Sequence, residues 1–152
     1  MFYDNINNDG SSFNTSFRSG NGKAFVQAYA TSGMVANTPY AVTFAGSGYA
    51  ATVLAASIYA FVGVPERVTA SGCVGWVQIR GHVEDVQASA AESTGSVGHI
   101  IQWHAGTICA SSSTYLGDPT LGDIGMLTQE ANASTTLNIW LTGMWATPVA
   151  AG

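Results

Sequence analysis

The chain has 152 residues, 47% of them hydrophobic but only 9% charged, against roughly 25% charged in average soluble proteins. That length fits one ordinary domain. With 4 Lys+Arg against 9 Asp+Glu and a net charge of -5, no basic footprint exists to neutralise a phosphate backbone, which excludes nucleic-acid binding as a function.

A surface so poor in charge has little like-charge repulsion to keep copies apart, and suits a chain that lives in an assembly. Glycine occurs 18 times, without the three-residue period of collagen. Residues Met1 to Asn14 show neither a basic nor an apolar signal-peptide region, so no secretory signal is expected. The longest apolar stretch, Tyr49 to Val64, is broken by Thr52, Ser57 and Gly63 and falls short of the roughly 20 residues of a membrane span. No membrane partner is expected.

The first 22 residues read as an extended N-terminal arm, rich in Asn, Asp, Ser and Gly. Disordered tails are poor in aromatics, whereas this arm carries Phe2, Tyr3, Phe13 and Phe17, so it is expected to dock on its own domain or on a neighbouring subunit. Residues 23–152 read as a single β-rich domain. Ala24 to Tyr29 and Tyr40 to Phe44 have strand composition and are bounded by the turn residues Thr31-Ser32-Gly33, Asn37-Thr38-Pro39 and Gly46-Ser47-Gly48. Ala50 to Ile58 is ambiguous. Ala50, Ala51, Leu54, Ala55 and Ile58 have the spacing of a short helix, and alanine favours helix. Tyr59 to Val64 reads as a strand that Pro65 ends or places at an edge.

Val74 to Val86 alternates, with Trp76, Gln78, Arg80, His82 and Glu84 on one face and Val77, Ile79 and Val83 on the other, which is expected to face inward. Val97 to Trp103, Gly106 to Ala110 and Ile124 to Leu127 supply further strands. In Thr135 to Leu141, Leu137, Ile139 and Leu141 share a face, leaving Trp140 outward; Trp145 follows close by. Aromatic residues of this kind are enriched at protein interfaces. Eight to ten short strands predict an all-β fold, a small β-barrel or a β-sandwich.

The chemical motifs are weak. Gly46-Ser47-Gly48-Tyr49-Ala50-Ala51 matches a dinucleotide fingerprint with Glu66 about 20 residues on, but the βαβ units it needs are missing. Cys73, Cys109, His82, His99 and His104 lack zinc-ligand spacing, and the two cysteines read as reduced, core-type thiols. Glu84 and Asp85 are adjacent on a strand and so cannot flank one glycosidic bond. Asp118, Asp123 and Glu130 lack calcium-loop spacing. No nucleophile elbow is present. The expectation is a non-enzyme with no cofactor and no metal.

Tyr59-Ala60-Phe61-Val62-Gly63-Val64-Pro65, then Thr69-Ala70-Ser71-Gly72-Cys73-Val74-Gly75-Trp76-Val77-Gln78-Ile79-Arg80-Gly81, resembles segments of small virion structural proteins of tailed bacteriophages. Thr135 to Gly143 is similar to their terminal strand, and the resemblance spans roughly residues 40 to 143. Within that class, size and the missing catalytic motif fit a capsid decoration, or cement, protein. The resemblance implies a β-rich body, a homotrimer, and binding to the major capsid protein on the outer surface of the capsid, which it stabilises. Phe2, Tyr3, Phe13, Phe17, Trp140 and Trp145 are then the expected capsid or subunit contacts. The alternative in another class is a carbohydrate-binding head-fibre or lectin-like module, in which Trp76 or Trp103 would stack on sugar.

Overall fold

The computed structural model describes residues 3–5, 17–45, 48–54, 60–88, 94–104, 106–110, 123–143 and 145–146. Its described elements are all β: β1 (Tyr3–Asn5), β2 (Phe17–Gly20), β3 (Lys23–Ala30), β4 (Tyr40–Ala45), β5 (Gly48–Val53), β6 (Ala60–Pro65), β7 (Val74–Gln87), β8 (Ile100–His104), β9 (Thr107–Ala110), β10 (Asp123–Leu127), β11 (Thr136–Thr142) and β12 (Trp145–Ala146).

Five of these close on themselves in the order β3-β5-β4-β6-β7, with β7 returning to pair with β3. Every step is antiparallel except β3–β5, where Ala28, Tyr29 and Ala30 run parallel to Tyr49, Ala50 and Ala51. A five-stranded barrel has a narrow interior, since diameter grows with strand number. Its filling is correspondingly small: Ala24, Val26, Ala28, Ala30, Val42, Ala51, Val77 and Ile79, with Met34 and Tyr40. At Gly63 even a methyl group does not fit, because a Cβ there would lie 2.4 Å from Val77 Cγ1 and 3.0 Å from Val42 Cγ2.

This narrowness settles the ambiguous segment. Gly48–Val53 is a strand, paired with β3 on one edge and β4 on the other. Its alanines serve the confined interior and the wall, and ladder bonds on both edges override helix propensity. The dinucleotide fingerprint fails for the same reason, since the residues that would open its helix lie in β5. Residues 55–58 of the proposed helix lie outside the described residues.

The second layer grows from the far half of β7. Residues 80–87 leave the barrel and pair with β11, which continues through β10 and β8 to β9. Gly81 forms the bend, with φ +93°, and a Cβ there would lie 2.4 Å from Gly22 O. The Gln78 amide donates 3.0 Å hydrogen bonds to both Arg80 O and His82 O. In a straight strand residues 78 and 82 stand about 13 Å apart, out of reach of one glutamine side chain, so this pair of bonds records a sharp bend. Gln78 keeps the face that alternation gives it, opposite Val77 and Ile79 and beside Val64 on the outside of the barrel, but there it is buried at 3% exposure, because the bend leaves carbonyls that need a buried donor.

A bulge at Glu84-Asp85 then shifts the alternation. Asp85 has φ +55°, its N–H donates to Asn138 Oδ1 at 2.9 Å, and Val83 and Val86, three apart, both turn inward. The sheet packs Leu137, Ile139, Leu141, Ile101, Trp103, Ile108, Ile124 and Leu127 against the outside of the β4–β6 wall, which offers Ala41, Ala60, Val62 and Val64. That wall is buried on both faces, which explains the near-continuous apolar run from Ala60 to Pro65.

The N-terminal residues join the barrel by a hairpin. Asn21 and Gly22 have φ +52° and +74°, the two positive values that a type I′ turn requires. Phe17–Gly20 pairs with Val26 to Lys23 of β3, and Tyr3–Asn5 pairs with Ser19 to Phe17.

Candidate interaction surface

The alternation of β11 decides the site's geometry. With Leu137, Ile139 and Leu141 buried, Trp140 faces outward at 40% exposure. Its direct cross-strand neighbours are His82 on β7 and Met126 on β10, and Met126 in turn stands opposite Ile100 on β8. Directly opposed residues share a face of the sheet. The result is a row across four strands, His82, Trp140, Met126 and Ile100, with the two central side chains exposed. His82 is anchored at one end: its Nε2 lies 3.0 Å from Thr128 Oγ1 and its Nδ1 4.0 Å from Glu84 Oε1.

The row abuts the N-terminal hairpin. A Cβ on Gly22 would lie 3.5 Å from the tip of the Trp140 ring, so this ring borders the turn that leads into β2. Of the six residues expected at an interface, Trp140 is placed outward beside that hairpin, and the backbones of Phe17 and Tyr3 lie in β2 and β1. Trp145 lies in β12, paired through its backbone with Phe61 of β6, on a different strand edge from Trp140. Phe2 and Phe13 lie outside the described residues. Met126 was missed by sequence reasoning; its signal was available in the alternation of Asp123–Leu127, where Ile124 and Leu127 are buried around a bulge and Met126 is not.

Two other surface features carry side chains of interest. At the end of the barrel where β4 turns into β5, Phe44, Tyr49 and Phe61 form an edge-to-face chain with ring centroids 5.6 and 6.5 Å apart. Near the opposite end, a cleft of about 350 Å³ is lined by Glu66, Arg67, Val68, Thr69, Val74, Gly75 and Trp76. Trp103, the other candidate sugar platform, is fully buried in the sheet core, so it cannot stack on any ligand. Its Nε1 is buried without a hydrogen-bond partner.

Cys109 is buried, as a core thiol should be, but Cys73 is exposed, which corrects its expected core role; neither forms a disulfide. Cys73 sits where the chain enters β7, in the turn that Gly72 shapes with φ +80°, outside the barrel. Among the described residues, no group of three or more His, Cys, Asp and Glu side chains is gathered for a metal.

No family model matches the sequence, and no curated protein matches it. A solved structure does share the fold: the N base of the head fiber gp8.5 of bacteriophage phi29, with a TM-score of 0.53 and 17% identity, over 81% of this chain and 97% of that one. At that identity the likeness establishes a common fold, and the fold is one that serves as the base of a phage head fiber.

Proposed function

We propose that this chain is a non-enzymatic structural protein of a phage virion, seated on the outer surface of the capsid through the major capsid protein, which it stabilises, and assembled as a homotrimer. The observation that carries this reading is the shared fold with a head-fiber base over nearly the whole of that base. The sequence resemblance to virion structural proteins points the same way. So does the low charge: a shell component binds by surface burial, and burial of a weakly charged face has little ion desolvation to overcome.

The proposed contact is the outward row centred on Trp140 and Met126, together with the N-terminal arm that carries Phe2, Tyr3, Phe13 and Phe17, with Trp145 at a subunit contact. Tryptophan and methionine are enriched at interface cores, and a central tryptophan commonly contributes about 2 kcal/mol or more to binding.

Quantitative mass spectrometry of purified particles tests the role. A ratio near one copy per major capsid protein, or one trimer per three-fold site, is the expected result; about a dozen copies would mean a vertex or fiber component, and absence from particles would overturn the reading. Deleting residues 1 to 20 removes β1 and β2 but none of the five barrel strands. The deletion is expected to leave the β-sheet circular dichroism intact and abolish capsid binding in a sedimentation assay; retained binding would remove the hairpin from the contact.

A second reading, a carbohydrate-binding head-fibre module, is favoured by one specific observation, the Trp76 cleft.

A further inference from the structure

The loop of residues 66–73 leaves β6 after Pro65 and returns to β7, and it is fastened to the barrel at several points. Met34 N donates to Thr69 O at 2.8 Å and Thr69 N to Met34 O at 2.9 Å, while Gly72 N donates to Ala30 O at 2.9 Å and Ala30 N to Cys73 O at 2.8 Å. The Ser71 hydroxyl donates to Thr31 O at 3.2 Å. At Gly75 the loop comes so close that a Cβ would lie 2.2 Å from Thr69 Oγ1 and 2.9 Å from Met34 Cε. The cleft between this loop and β7 is therefore held in shape before any ligand arrives, which lowers the ordering cost of binding.

Its lining combines three kinds of group. Its lining residues include Trp76, Glu66 and Arg67, which carry an indole, a carboxylate and a guanidinium, around a volume of about 350 Å³, the lower end of the range for small-ligand sites. Tyr29 stands opposite Val74, and Gln27 opposite Trp76, in the β3–β7 register, so an amide and a phenol extend the same outer face.

We infer that this cleft binds a neutral pyranose unit of a glycan. An indole face covers the apolar C–H face of a sugar ring, a carboxylate accepts hydrogen bonds from two adjacent hydroxyls, and a guanidinium donates to hydroxyl oxygens. A neutral sugar is favoured over an anion because the charges of Glu66 and Arg67 offset one another in the lining, while the net charge of -5 on the chain gives a negative ligand no long-range attraction. The inference rests on the second reading above and gives it a site and a ligand class.

The test uses the full chain on an array of neutral hexose and N-acetylhexosamine oligosaccharides, then titration calorimetry with the best-bound oligosaccharide for wild type, Trp76→Ala, Arg67→Gln and Trp140→Ala. Expected are a loss of affinity of about tenfold or more for Trp76→Ala, a similar loss for Arg67→Gln, and no change for Trp140→Ala. Arg67 is exposed, so its substitution keeps the test informative where Trp76→Ala fails to fold. Binding that survives both cleft substitutions would overturn the site while leaving carbohydrate binding in place. No binding by wild type to any arrayed glycan would overturn both.

Discussion

The barrel and the sheet that covers it are built from opposite materials. The barrel interior is filled by Ala24, Ala28, Ala30, Ala51, Val26, Val42 and Val77, around a glycine where no methyl fits. The covering sheet uses Ile101, Trp103, Ile108, Leu127, Leu137, Ile139 and Leu141. The cause is geometric. Five strands closed into a ring leave room for little beyond their own backbone and short side chains, whereas a sheet laid on a flat wall has a full interlayer gap of about 10 Å to fill. Destabilising the barrel should therefore come from added atoms and destabilising the sheet from removed ones.

The largest effect is expected where the two regions share a strand. Gly81→Ala places a Cβ against Gly22 O and Lys23 Cα, on a residue with φ +93°. The clash is relieved only by lifting the β2–β3 turn off β7, and the backbone strain at residue 81 persists even then. A loss of about 4 kcal/mol or more is expected, a large fraction of the roughly 5–15 kcal/mol that stabilises a domain, read as a collapse of the urea midpoint or failure to obtain folded protein. A Gly81→Ala protein of ordinary stability would mean the bend is made elsewhere.

Next comes Ile139→Ala, which empties volume at a fully buried position of the sheet core and should cost about 2–5 kcal/mol. Gly63→Ala acts in the opposite sense. Its Cβ presses on Val77 and Val42, and overpacking should cost about 1–3 kcal/mol. The comparison is sharpened by a second pair in the same two senses: at Ala110, in the sheet core, Ala→Gly removes one methyl, while at Ala28, in the barrel, Ala→Val adds two. If denaturation midpoints showed the barrel tolerating Ala28→Val as easily as Gly63→Ala is rejected, the interior would be wider near β3 than near β6.

The same contrast explains what the sequence made legible. The sheet strands were readable because large aliphatics alternate with polar residues, as in Leu137, Ile139 and Leu141 against Asn138 and Trp140. Outward placement of Trp140 followed from that alternation alone. The barrel strands hid their pattern: in Gly48–Val53 the one fully buried core side chain is Ala51, no larger than its neighbours Ala50 and Thr52, so hydrophobic periodicity carries little signal and alanine content suggests helix. Alternation gave Gln78 its face, opposite Val77 and Ile79, but not its burial, because alternation assumes a straight strand and nothing local marks the bend except Gly81. Asn21-Gly22, by contrast, is a strong hairpin signal flanked by Phe17 and by Phe25 and Val26. It identifies β2 as a strand, a reading that the polar composition of the first 22 residues obscures. The row that joins Trp140 to Met126 depends on register between strands distant in sequence, which composition cannot supply.

The smallest expected effect on stability belongs to the residue with the largest expected effect on assembly. Trp140 stands on the outer face, 40% exposed, with its ring bordering the β2–β3 turn near Gly22. Trp140→Ser removes area from that contact but no core packing, so stability should shift by about 0.5 kcal/mol or less, the usual range for surface substitutions. Binding to particles should weaken by about 30-fold, the equivalent of a 2 kcal/mol interface anchor. Met126→Ser, its cross-strand neighbour, should produce a weaker loss in the same assay. Competition sedimentation with wild-type chain reads both affinities directly. The sheet and the barrel then part company a second time: the sheet, packed with large residues inside, also presents large residues outside, and the two faces of β11 separate stability from association within one strand.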